Sequence, residues 1–337
     1  MHLKAETLDD LLIATFERLL KRGKRITATR GETYELQGVL LELSDPRARL
    51  SRTESKGKVF SSLGELLWYL SGTNSLEFIK YYLPKYEDET EDGATIFGGY
   101  GPRLIDHHGH NQIENVLKLL KGNSNSRRAV IQVFDAADIS RTRKEIPCTC
   151  TIQFLLREEK LNAIVHMRSN DAYFGLPHDV FAFTFLQEII ARSLGAGLGT
   201  YKHFVGSLHL YSDYEFHAHS YIGEAYQPTT KKMPPMPPDT PWQSIEKILK
   251  IESKLRADEP VLLSQFSLDS YWLDLARILQ FFAASRGPQM DEIEMERLKS
   301  ELAGSVYEMY LNGRTRTIGP PNLSEPTLPL LFDRTNK

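Results

Sequence analysis

Hydrophobic positions along the chain change period several times, and those changes lay out the elements. Leu8, Leu11, Leu12, Ala14, Phe16, Leu19 and Leu20 fall mostly on one side of a 3.6-residue repeat, which predicts a helix over 7–21. Lys21-Arg22-Gly23-Lys24-Arg25 closes it with the basic residues and glycine that helix ends prefer. Residues 33–43 alternate imperfectly around Gly38 and read as extended, and 61–70 returns to a helical repeat on Leu63, Leu66, Leu67 and Leu70. Residues 82–111 are loop-rich, with an acidic run at 87–92 that reads as a solvated loop. A short helix over 112–120, a turn at 123–126 and a strand over 129–134 follow. Residues 148–156 and 161–167 read as paired strands. An apolar helix is expected over 180–194, another extended run over 200–211, and three helices over 243–257, 268–285 and 291–312. Gln227–Trp242 holds six prolines and reads as a linker or a wrapped arm.

Bulk composition narrows the function classes. The chain has 337 residues, 41% of them apolar, enough for a large core. A net charge of −3 argues against a broad nucleic-acid-binding face, yet leaves room for a local basic pocket. The N-terminal residues lead straight into an amphipathic run, so no signal peptide is expected. No apolar run reaches the ~18 residues of a membrane span. The two cysteines stand two apart on one predicted strand, which speaks for a reducing, cytoplasmic setting and against a disulfide framework. His107-His108-Gly109-His110 has no cysteine or carboxylate at matching ligand spacing, so no metal is expected there.

Chemistry concentrates between Pro147 and Tyr211. Cys148 follows a proline and begins a strand, and a thiolate is the strongest side-chain nucleophile near neutral pH when a cation lowers its pKa. A hairpin would bring Arg168, at the end of the next strand, close to it. Taken alone, such a cysteine is more often a small buried hydrophobe. Cys150 lies on the same period and reads as structural. Arg127-Arg128 could clamp a phosphate bidentately, or be a solvated pair at a strand edge. Gly175 and Pro177 punctuate a turn, which would leave Asp179 near a helix N-terminus.

Set in order, these motifs resemble the thymidylate synthase family, which includes the cytosine-nucleotide hydroxymethylases. Glu65-Leu66-Leu67-Trp68 is similar to a family helix, Ser126-Arg127-Arg128 to its phosphate-binding pair, and Pro147-Cys148 to its nucleophile. Arg168-Ser169-x-Asp171, Gly175-Leu176-Pro177 and His209-Leu210-Tyr211 match the later segments. The resemblance covers roughly 8–220. It implies an α+β fold with a bent mixed β-sheet flanked by helices, and a homodimer with Arg127 and Arg128 reaching into the partner's site. It further implies Cys148 and Glu65 in catalysis, and Arg30, Arg127, Arg128, Arg168 and Ser169 on phosphate. His209 and Tyr211 would hold the sugar, and Asp171 and Trp68 a folate, 5,10-methylenetetrahydrofolate. The expected organisation is a catalytic domain over 1–226, a Pro-rich linker over 227–242 and a helical C-terminal extension over 243–337.

The departures carry the substrate argument. Asp179 replaces an asparagine that faces the pyrimidine edge. An ionised carboxylate opposite uracil O4 sets acceptor against acceptor, whereas cytosine offers an amino donor and a protonatable N3. Mispairing buried polar groups costs about 10⁴ in specificity. Tyr86 and the acidic run stand where a Trp-rich shield is usual, so water could reach the reactive methylene and give a hydroxymethyl group. Thr149 follows the nucleophile in place of histidine, His178 replaces an aromatic, Ser207 replaces an aspartate, and the family's folate-closing C-terminus is absent. The expectation is 5-hydroxymethylation of a cytosine monophosphate, (d)CMP. Methylation of dUMP or dCMP and an inactive nucleotide-binding homologue are the alternatives.

Overall fold

The computed structural model describes residues 1–28, 31–51, 58–224, 231–238, 241–286 and 291–316. Arg30 lies outside them. Strand β1 (His2–Ala5) leads into helix α1 (Leu8–Arg22). Then come β2 (Lys24–Ala28), β3 (Gly31–Leu43), α2 (Val59–Leu70), α3 (Leu76–Tyr82), α4 (Tyr100–Ile105) and α5 (Gln112–Gly122). The middle of the chain forms β4 (Val130–Gln132), β5 (Thr149–Arg157), β6 (Lys160–Asp171), α6 (Gly175–Ser193), β7 (Gly197–Tyr211) and α7 (Glu215–Gly223). Helices α8 (Pro241–Arg256), α9 (Ser270–Ala284), α10 (Glu292–Glu301) and α11 (Glu308–Arg316) finish the described chain. None of the described helices is long and apolar enough to cross a membrane.

The sheet is mixed and open. Its order is β1-β3-β7-β6-β5-β4, with β2 paired to β3. Pairs β1/β3 and β6/β7 are parallel, and the others are antiparallel. Alternation sets its two faces. On β6, Leu161, Ala163, Val165 and Met167 are buried, while Asn162, Ile164, His166 and Arg168 between them stay partly or largely exposed. Helices α1 and α6 contribute to the core that includes these buried positions. Helix α1 is set by its ends: the Thr7 hydroxyl accepts from Asp10 N–H at 3.2 Å, Asp9 and Asp10 sit in the first turn, and Lys21 and Arg22 in the last. Helix α6 is buried on nearly all sides, as an all-round apolar helix must be.

Two expectations change. Helix α6 starts at Gly175, five residues early, because Pro177 falls in the first turn, where its missing N–H is not needed. Asp179 therefore sits one turn inside the helix. The last expected helix is split into α10 and α11 around Gly304, whose φ of +74° interrupts a helix.

The described part of the Pro-rich stretch, 231–238, is a wrapped arm. Met233 and Met236 are buried, Met233 N–H donates to Arg47 C=O at 3.1 Å, and Met236 N–H donates to Glu188 Oε1 at 2.9 Å. Glu188 also pairs with Arg49, both fully buried. Beyond the arm, α8 packs on α6, and α9 on α2. Phe60 of α2 stacks on Phe281 and Phe282 of α9, with centroids 5.9 and 5.7 Å apart. Tyr82 O–H donates to Glu252 Oε1 at 3.1 Å. The C-terminal helices thus back the helix that carries Glu65.

Candidate active site

The β5/β6 hairpin does what the alternation predicts. Arg168 N–H donates to Cys148 C=O at 2.8 Å, and the Arg168 guanidinium clamps the preceding turn, with Nε 2.9 Å from Pro147 C=O and an Nη 3.1 Å from Ile146 C=O. The guanidinium is locked beside the Cys148 backbone. Cys148 is partly exposed and in no disulfide. Burial pushes the Cys150 thiol up, which disfavours its thiolate. Thr149, fully buried, donates its N–H to Tyr100 Oη at 3.1 Å, which ties the start of β5 to α4.

Two carboxyls share the pocket floor. Asp179 is 9% exposed, and Asn170 Nδ2 donates to its Oδ2 at 2.7 Å. Burial holds the Asp179 carboxyl well above its usual range, the nearby Glu65 charge pushes the same way, and the Asn170 bond opposes them. Burial thus favours the neutral form of Asp179, whereas the pairing read from the sequence takes it as ionised. Glu65, also buried, accepts from Tyr86 O–H at 2.8 Å. Its carboxyl is raised by burial too, with Tyr86 and Tyr69 pulling it back. An ionised Glu65 makes ionisation of Asp179 costlier still.

Behind Asp179 runs a buried relay. Asn170 Nδ2 lies 3.4 Å from His203 Nε2, and Tyr201 Oη lies 2.8 Å from His203 Nδ1. Burial lowers His203 to about 3, so its ring is neutral. His178 is fixed between Phe174 C=O and the Ser61 hydroxyl, each at 2.9 Å. The carbonyl only accepts, which assigns the proton to Nδ1 and makes Nε2 the acceptor from Ser61.

Strand β7 supplies the other wall. His209 Nδ1 stands 3.4 Å from Ser169 Oγ, and its ring meets Tyr211 edge-on at 5.2 Å. Ser207 donates to Glu35 Oε1, and Glu35 lies opposite His209 across the β3/β7 ladder. A carboxylate from β3 thus stands beside the serine that replaces the family aspartate. Asp171 Oδ1 accepts from Tyr173 N–H at 2.8 Å. Trp68 is only 1% exposed and packs edge-on against Tyr86 at 5.4 Å, so Tyr86 is the member of the pair that presents surface. A folate fits this wall. It offers the partly exposed Tyr86 ring, the buried Glu65 carboxyl and the Trp68 Nε1–H, a buried donor with no hydrogen-bond partner among the described residues.

Arg127 and Arg128 are exposed and not at this site. They precede β4, whose Val130 pairs with Gln153, and Gln153 lies about 17 Å along the strand from Cys148 at ~3.3 Å per residue. Neither guanidinium has an ion-pair partner among the described residues.

Sequence reasoning passed over Glu145. Its Oε2 is buried with no hydrogen-bond partner, and burial, followed by the Glu89 charge, pushes its carboxyl up to about 7. Its position three residues before Cys148 was the available signal.

Two curated relatives are each named deoxyuridylate hydroxymethyltransferase. The protein of Delftia phage PhiW-14 is 32% identical over 199 residues, 55% of this chain and 55% of its own. That of Pseudomonas phage M6 is 32% identical over 163 residues, 48% of this chain and 46% of its own. The chain spans about half the length of the curated relatives it matches. The family model described as thymidylate synthase matches residues 15–248, from within α1 to within α8 and across every site residue above, and the chain belongs to the thymidylate synthase family.

Proposed function

We propose that this protein hydroxymethylates C5 of a cytosine monophosphate, (d)CMP. The observation that carries the reading is the burial of Asp179, held by Asn170, which favours its neutral form. Cys148 adds through sulfur to C6 as Asp179 passes its proton to N3, which drains charge from the ring and leaves C5 nucleophilic. 5,10-Methylenetetrahydrofolate, the family's co-substrate, supplies the one-carbon unit. Loss of the C5 proton expels tetrahydrofolate and leaves an exocyclic methylene, to which water held near Glu65 adds. Elimination then frees Cys148, and Asp179 recovers its proton from N3. Arg168 and Ser169 bind phosphate, His209 and Tyr211 the sugar, and Asp171 and Tyr86 the folate.

The same reading makes the protein a homodimer. A second copy would contribute Arg127 and Arg128, which stand far from their own Cys148. The sheet's open face, with Val130 42% and Phe204 36% exposed, is the surface that supports pairing. Residues 1–226 act as the catalytic domain, 227–242 as the linker, and 243–337 as an extension whose helix α9 buttresses α2.

A second reading, hydroxymethylation of deoxyuridylate, is favoured by the names of the relatives. A neutral carboxyl can pair with O4 and N3–H of uracil as well as with cytosine, so pairing alone does not choose. Proton delivery does, because only cytosine has a basic N3. Tritium release from C5-labelled CMP, dCMP and dUMP, with the product mass measured, tests both. Preferential turnover of a cytosine nucleotide to the hydroxymethyl product is expected. Preference for dUMP would replace the first reading with the second, and a methyl product would overturn both.

A further inference from the structure

The segment between α4 and α5 folds into a tight hairpin. His107 and His110 exchange backbone hydrogen bonds, both 3.0 Å, across a two-residue turn. His108 at φ +52° and Gly109 at φ +79° give the backbone of a type I′ turn. A β-carbon is disfavoured at the first of these positions, yet a histidine occupies it. The turn aims His107 and His108 at one carboxylate, that of Asp135, which follows β4. His108 Nε2 is 2.7 Å and His107 Nε2 is 3.5 Å from Asp135 Oδ2. A ligand atom from each of the three lies within 4.8 Å of the others.

We propose that His107, His108 and Asp135 form a site for a zinc-class divalent cation, with one coordination position open.

Three observations support the assignment. Metal–ligand bonds of about 2.0–2.1 Å in tetrahedral geometry put neighbouring ligand atoms roughly 3.3–3.5 Å apart. The His107–Asp135 separation already fits, and the His108–Asp135 contact has to open by less than about 1 Å. His107 Nε2 is buried and makes no hydrogen bond among the described residues, so an ion supplies the partner it lacks. The carboxylate is also held in place. Asp135 Oδ1 accepts from Ala137 N–H at 2.8 Å, Asp135 N–H donates to Asp138 Oδ2 at 2.7 Å, and Asp138 pairs bidentately with buried Arg103.

The open position faces a depression of about 300 Å³ that His110 and Arg128 also line, so water or a small anion would complete the shell. Bound metal would pin the hairpin to the segment that leads from β4 toward Cys148. The linear sequence hides this site because Asp135 stands 27 residues beyond His108.

The test is titration of untagged, metal-free protein with Zn²⁺ by calorimetry, alongside the visible spectrum with Co²⁺. One equivalent per chain is expected, with a four- or five-coordinate Co²⁺ spectrum lacking thiolate charge transfer. His108→Ala, at an exposed turn that the fold can spare, should weaken Zn²⁺ at least about a hundredfold, and Asp135→Asn should do the same. Cys148→Ala/Cys150→Ala should bind as the parent does. No stoichiometric uptake, uptake indifferent to His108→Ala, or uptake lost only in the cysteine variant would each overturn the proposal.

Discussion

Replacing Asp179 with asparagine removes a proton and little else. The amide has nearly the same volume, and its oxygen can still accept from Asn170 Nδ2, which lies 2.7 Å from the carboxylate in the native protein. What disappears is the carboxyl whose neutral form burial favours. A positioned general acid contributes about 10²–10⁴-fold. At about 1.4 kcal/mol per decade, a central loss of 10³ corresponds to roughly 4 kcal/mol of transition-state stabilisation. The proton moves only as the Cys148–C6 bond forms, so the loss should fall on kcat and leave KM within a few-fold. Asp179→Asn is therefore expected to turn over CMP or dCMP about a thousandfold more slowly. Uracil turnover should fall far less, because uracil offers no basic N3. Steady-state tritium release with all three nucleotides measures this. Cytosine turnover within about threefold of the parent would refute proton delivery by Asp179.

Three further outcomes follow from the same geometry. Glu145 holds a proton in the folded state up to about pH 7, against 4.5 when unfolded, so folding stability should fall as pH rises between those values and level off above. Glu145→Gln should remove that slope and raise stability at pH 8 by about 1–3 kcal/mol, read by urea unfolding at several pH values. Phe281, fully buried against Phe60, should cost about 3–5 kcal/mol on replacement by alanine, measured by chemical denaturation. Asn170→Ala removes the one contact that favours ionised Asp179, so it should move the basic limb of the kcat–pH profile to higher pH, and an unchanged limb would detach Asn170 from that acid.

How far the chain can be read without coordinates differs from place to place. Cys148 and Arg168 were legible because a hairpin of alternating strands leaves few other arrangements, and the register of β5 on β6 bears this out. The mixed, open sheet with flanking helices agrees with the expected fold. The start of α6 was not legible, since Pro177 reads as punctuation until its first-turn position is known. Neither was the protonation of Asp179. It depends on burial and on Glu65 from α2, more than a hundred residues away in the chain. The partners of His107 and Tyr86 are likewise tertiary: a carboxylate after β4 in one case, a glutamate on α2 in the other. Local pattern reports which residues can do chemistry, and burial reports in which protonation state they do it.

The account rests on covalent attack by the Cys148 sulfur at C6 of a pyrimidine. Incubation with a 5-fluorocytosine monophosphate and 5,10-methylenetetrahydrofolate tests this directly, because fluorine at C5 blocks loss of the proton that elimination requires. Peptide mapping by mass spectrometry should find nucleotide and folate together on the peptide holding Cys148, attached through that sulfur, and Cys148→Ser should show no adduct. A native protein that stays unmodified, or an adduct carried by Cys150, would contradict the central claim.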